Sequence, residues 1–151
     1  MGIRVCEEKK IFSISTPNTT YLMGVAAGSM LGHMYYGKRM DDMDGFYLLR
    51  AGATPDEMHI HRREKVGCLD TFSFEYPVWG TGDFRDPCLC VRDENGCRAC
   101  ELHYESYEIR EGKPALAGMP ATFAGKEAGQ AAQTLILTLR DEVLGLKILL
   151  R

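Results

Sequence analysis

The chain has 151 residues, a net charge of −3 and 45% hydrophobic residues, the proportions of an ordinary globular protein. One domain over residues 1–151 is expected, able to bury roughly 70% of its unfolded surface. A mildly acidic, mixed surface argues against nucleic acid and anionic membrane as partners, and no apolar run reaches the ~20 residues that cross a bilayer. The N-terminus carries no apolar leader core, so a cytoplasmic setting is expected, in which the six cysteines stay reduced.

In chain order, Ile11 to Ser15 alternates weakly and ends at the turn signal Thr16-Pro17-Asn18. Thr20 to Val25 places Tyr21, Met23 and Val25 on one face and predicts a strand. Ala26-Ala27-Gly28-Ser29 is too small-sided to pack and predicts a turn. Leu31 to Tyr36 predicts a second strand, closed by Gly37-Lys38. Residues 38–65 carry little pattern and predict a long loop, a kind of segment that tends to be functional or mobile.

Residues 75–87 hold two glycines and two prolines, so turns rather than a ladder shape this backbone. They also hold Tyr76, Trp79 and Phe84, heavy apolar material for a loop, with Asp83 and Arg85 flanking Phe84. Leu89 to Val91 then leads into Asp93-Glu94-Asn95-Gly96, the strongest hairpin signal in the chain. A two-residue turn at Asn95-Gly96 would set Val91 opposite Cys100 and Leu89 opposite Leu102. Leu89, Val91, Cys100, Leu102 and Tyr104 would then share an apolar face. A three-residue loop closing on Gly96 would pair Leu89 with Glu101 and mix the faces, so the first register is expected.

Leu135, Leu137 and Leu139 alternate with Thr134, Ile136 and Thr138 in a further strand; the chain turns after Arg140-Asp141, and Leu144 to Leu150 begins another. That last strand stops at Arg151 without a cap or polar tail, which predicts a domain incomplete at its C-terminal end. Helical periodicity is nearly absent, Gly125 to Ala132 being the one plausible helical turn. Many short strands punctuated by Gly and Pro predict an all-β, antiparallel sandwich.

Several residues bear chemistry. Cys88, Cys90, Cys97 and Cys100 flank the hairpin and could suggest a zinc site, but the expected register points Cys100 away from the other three. Buried or incidental thiols are therefore expected, with zinc as the alternative. His59 and His61 could share a face in an extended segment; a solvated loop is the plainer reading. Asp83 and Arg85 either pair to fix the turn before Pro87 or, with Trp79 as an aromatic platform, supply the planar polar groups that hold sugars. No nucleophile-base spacing or phosphate-cradling glycine loop is present, and nothing sets Glu75, Asp83 or Asp86 at the 5 to 5.5 Å separation a retaining glycosidase needs.

Five landmarks recur in order: Thr20-Tyr21-Leu22 with Leu31-Gly32-His33-Met34-Tyr35-Tyr36-Gly37-Lys38; Glu75-Tyr76-Pro77 with Gly82-Asp83-Phe84-Arg85; Gly112-Lys113-Pro114; Gly118-Met119-Pro120-Ala121-Thr122; and Thr134-Leu135 with Leu139 and Asp141. In these the chain resembles the N-terminal domain of glycoside hydrolase family 36, the bacterial α-galactosidases of the raffinose and melibiose kind. The resemblance implies a supersandwich-like β domain that precedes a (β/α)₈ barrel bearing both catalytic aspartates, so no catalytic residue is expected in this chain. It implies a parent enzyme that removes terminal α-galactose with retention, without metal, nucleotide or other cofactor.

The partners so implied are an α-galactoside oligosaccharide, the protein's own barrel and further copies in a homo-oligomer, in which residues 46–64 would approach a neighbouring active site. The expected substrate-binding residues are Arg50, Trp79, Asp83 and Arg85. An N-acetylgalactosaminide-cleaving relative would look alike here. The alternative from another class is a free-standing β-sandwich that binds carbohydrate or protein.

Overall fold

The computed structural model describes residues 2–43, 45, 72–80, 86–114, 117–120 and 132–151. Their chain forms two antiparallel sheets. The first runs in the order β1 (Gly2–Cys6), β2 (Ile11–Ser15), β3 (Thr19–Val25), β4 (Leu31–Lys38). The second runs β5 (His103–Glu111), β6 (Gln133–Asp141), β7 (Leu146–Leu150). This is the expected all-β sandwich.

Turn chemistry sets the connections. Thr16 Oγ1 accepts the N–H groups of Asn18 (3.2 Å) and Thr19 (2.9 Å), which closes β2 onto β3 around Pro17. Gly28 (φ 75°) and Ser29 (φ 60°) are both left-handed in the 3-10 turn Ala27–Ser29 between β3 and β4. His103 Nδ1 donates to the exposed Gly28 carbonyl at 2.7 Å, tying β5 to that turn.

The core lies between the sheets. Phe12, Met23, Val25 and Leu31 from the first sheet meet Leu135, Leu137 and Leu139 from β6, joined by Val78, Cys100 and Leu102. Phe12 is 1% exposed, and its ring centroid lies 5.8 Å from that of Tyr104 and 5.3 Å from that of Tyr107. Burying such a ring contributes about 1.5–3 kcal/mol. The opposite face of the first sheet is covered too: Ile11, Leu22, Met30, Met34 and Phe72 form a second cluster against Met40, Met43 and Phe74. Ser13, Ser15 and Thr20 are buried with their hydroxyls in a chain, 3.4 Å apart at each step, and Thr20 Oγ1 bonds both the carbonyl and the N–H of Met40.

The hairpin register is corrected. Gly96 N–H donates to the Asp93 carbonyl (3.1 Å) and Asp93 N–H to the Cys97 carbonyl (2.9 Å), so the loop has three residues and closes on a left-handed Gly96 (φ 84°). The reason is Asp93, whose Oδ1 accepts the Asn95 and Cys97 N–H groups at 3.0 and 2.7 Å and selects the longer loop. Leu89, Val91, Cys100, Leu102 and Tyr104 nevertheless all pack in the main core. No ladder runs down this arm; Leu89 bridges Val78 and Cys100 N–H bonds the Trp79 carbonyl instead. The proposed helical turn at 125–132 lies outside the described residues, apart from Ala132, which is not helical.

Asp141 ends β6 as a buried hub. Its Oδ1 accepts the N–H groups of Val143 and Leu144, each at 2.9 Å, and its Oδ2 that of Glu101 at 2.8 Å. Burial alone would raise this carboxyl. The N–H donors of Leu144, Glu101 and Val143, with the Cys100 thiol, outweigh that and hold it below its ordinary value.

Candidate functional site

Residues 72–80 form a rib that leaves the first sheet and crosses to the hairpin arm. Phe74 bridges Gly32 in antiparallel sense, His33 N–H donates to the Ser73 carbonyl (2.7 Å) and Glu75 N–H to the Leu31 carbonyl (3.1 Å). Pro77, with no N–H of its own, offers its carbonyl to Cys88 N–H at 2.9 Å, and the Trp79 carbonyl accepts Cys100 N–H at 2.8 Å. Val78 turns inward at 3% exposure, so its neighbour Trp79 turns outward and is 51% exposed. Gly80 follows with φ +118°; a Cβ there would sit 2.8 Å from Ala99 Cα, so only glycine lets the two backbones approach this closely.

Where the rib leaves the sheet, Tyr21, His33 and Glu75 converge. The Tyr21 hydroxyl donates to Glu75 Oε1. His33 Nδ1 lies 3.2 Å from the Tyr21 hydroxyl and 3.3 Å from Glu75 Oε2. The Tyr21 ring packs on the His33 ring at 5.1 Å and on that of Tyr36 at 5.8 Å, with Tyr36 itself exposed. A β-bulge makes this possible. Leu22 pairs with Tyr35 but Met23 pairs with His33, so one residue of β4 is looped out and both His33 and Tyr36 join the Tyr21 face. Simple alternation along β4 would have put them on opposite faces.

Burial, then the hydrogen bond to Glu75 and its negative charge, push the Tyr21 phenol well above its ordinary value, so it acts as a hydrogen-bond donor and not as a base. The cluster thus offers a carboxylate held by a phenol and an imidazole. It can orient a backbone or a ligand, but with one carboxylate it lacks the pair that glycoside hydrolysis requires.

Of the expected sugar-binding residues, Trp79 stands exposed on the rib, while Arg50, Asp83 and Arg85 lie outside the described residues, as do His59, His61 and the segment 46–64. Cys88, Cys90 and Cys97 are exposed and Cys100 is 2% exposed. Burial and the neighbouring Asp141 carboxylate push the Cys100 thiol up to about 11. Among the described residues no group of three or more His, Cys, Asp or Glu side chains could hold a metal ion. None of Tyr21, His33 and Glu75 was expected as a site residue. Tyr21 and His33 come from the first landmark and Glu75 from the second, and the fold brings the three together.

Residues 29–151 match the glycosyl hydrolase family 36 N-terminal domain. The chain is 36% identical over 143 residues to the bifunctional α-galactosidase/sucrose kinase AgaSK of Mediterraneibacter gnavus, covering 94% of this chain and 15% of that protein. The solved galactosidase domain of AgaSK superposes with a TM-score of 0.81 at 35% identity, over 98% of this chain and 20% of that one. A variant of the α-galactosidase AgaA from Geobacillus stearothermophilus, solved with raffinose, superposes with a TM-score of 0.77 at 32% identity, over 93% of this chain and 19% of that one. The chain therefore spans only 15% to 20% of the length of these relatives. The landmarks and these matches agree, and the chain belongs to the family of glycosyl hydrolase family 36 N-terminal domains.

Proposed function

We propose that this chain is the non-catalytic N-terminal domain of a retaining α-galactosidase that removes terminal α-linked galactose from oligosaccharides such as raffinose and melibiose. The observation that carries the reading is the match to the galactosidase domain of AgaSK over 98% of this chain but only 20% of that one. The raffinose complex of AgaA supports the substrate class. In this reading the catalytic carboxylates reside in a barrel beyond Arg151, and the chemistry uses no metal or nucleotide. The domain packs against that barrel and contributes to a cytoplasmic homo-oligomer. Trp79, with Arg50, Asp83 and Arg85, contacts the sugar at the pocket wall, and residues 46–64 reach toward a neighbouring subunit.

The full-length protein is expected to hydrolyse raffinose and release α-galactose as the first-formed anomer by NMR, while residues 1–151 alone are inactive. Release of the β-anomer, hydrolysis by the isolated domain, or a reading frame that stops at codon 151 would each refute the proposal. The last outcome would favour a free-standing binding module.

A further inference from the structure

We infer that Tyr21, His33 and Glu75 are positioning residues, which set the angle at which the rib presents Trp79 to sugar. The inference rests on the reading of Trp79 as a sugar contact. Its own support is geometric. The near end of the rib is fixed to β4 through Ser73 and Glu75, and the far end to the hairpin arm through Pro77 and Trp79. The chain bends between these attachments at Glu75 and Tyr76. At that bend the Glu75 side chain, 16% exposed, is gripped from β3 by the Tyr21 hydroxyl and from β4 by His33 Nδ1.

Tyr76, the next residue, packs its ring against the main core, and its hydroxyl reaches the Cys88 carbonyl at 3.5 Å. The bend is thus held on the core side by Tyr76 and on the sheet side by the Glu75 carboxylate, whose grip from β3 and β4 orients it relative to the first sheet. Phe74 on Gly32 and Val78 in the core anchor the rib independently. Loss of the cluster should change the pose of Trp79 while the fold persists.

The test is steady-state kinetics of the full-length protein on raffinose. Tyr21→Phe and Glu75→Gln are each expected to raise KM about tenfold with kcat within about twofold, the scale at which a misplaced binding group is felt. The double variant should be no worse than either single one, because both break the same unit. His33→Asn, which returns a polar group near the Nδ1 position, should restore KM relative to His33→Leu.

Trp79→Ala separates the two readings. If it raises KM while Tyr21→Phe and Glu75→Gln do not, the positioning role is wrong and the sugar contact stands. If Trp79→Ala leaves KM unchanged, the sugar-contact reading fails and the inference falls with it. A fall in kcat matching lost folded protein, at constant KM, would mark the cluster as merely structural and overturn the proposal.

Discussion

Replacing Asp141 by asparagine should destabilise the chain nearly as much as replacing it by alanine. The carboxylate accepts on both oxygens, Val143 and Leu144 on one and Glu101 on the other. Alanine leaves all three N–H donors, and the Cys100 thiol, without this partner. A buried N–H so orphaned costs about 1–3 kcal/mol, and bonds to a charged acceptor lie at the upper end. Val143 is 96% exposed, so water replaces much of the bonding in the turn, and the part-buried Glu101 N–H carries most of the loss. The sum is about 3 kcal/mol.

Asparagine preserves volume but has one acceptor oxygen, and its amide must face an N–H on the other side. Its cost should fall within about 1 kcal/mol of alanine's, whereas a residue serving only to fill space would tolerate the isostere at less than about 0.5 kcal/mol. Urea titration followed through Trp79, the one tryptophan, reads the difference as a lower midpoint at constant slope.

The pH response supplies a second readout. The folded Asp141 carboxyl titrates below its ordinary value, so its stabilisation is complete above about pH 4 and is lost as pH falls through the lowered folded value. Glu105 and Glu108 are also held low by their Lys147, Arg140 and Arg110 partners, but they are common to both proteins. The wild-type advantage over Asp141→Asn should therefore shrink as acid is added. An asparagine variant as stable as wild type at pH 7, or a gap that does not change with acid, would refute the hub role.

Gly80→Ala should lower stability by about 2–3 kcal/mol, since φ +118° and the 2.8 Å approach to Ala99 Cα act together; a thermal melt with an unchanged midpoint would contradict it. Under native conditions Cys88, Cys90 and Cys97 should be alkylated well before Cys100, which is 2% exposed with its thiol pushed up to about 11; peptide mapping after timed iodoacetamide pulses checks the order. Chelators should leave the melting temperature unmoved, and a drop on EDTA treatment would revive a zinc-bound hairpin.

The strands that showed in the sequence were those whose apolar residues keep a strict period of two. β6, with Leu135, Leu137 and Leu139 facing the core, is the clearest case. β5 was hidden because Tyr104 pairs with Leu139 and Tyr107 with Leu137. The bulge at Glu105 sets its two core tyrosines three residues apart, and the remaining positions are mostly charged. β1 was hidden by its shortness and its surroundings: Ile3 and Val5 alternate with Arg4, but the charged run Glu7 to Lys10 follows directly. The Tyr21–His33–Glu75 cluster escaped for the same reason as β5. Its assembly depends on a looped-out residue in β4 and on a partner 42 residues further along from His33. The hairpin register turned on the Asp93 side chain, which backbone propensity alone does not weigh.

Because the first sheet is covered on both sides, β3 has no permissive parity. Leu22 is fully buried on one side, and Met23 and Val25 are nearly so on the other. Sequence drift and engineered insertions must therefore avoid this strand altogether. β5 presents Glu105, Ser106, Glu108 and Arg110 to water and leaves room for both. Tags, cross-linkers or surface-charge redesign belong there, on a long strand whose outward side chains can change without disturbing either apolar layer.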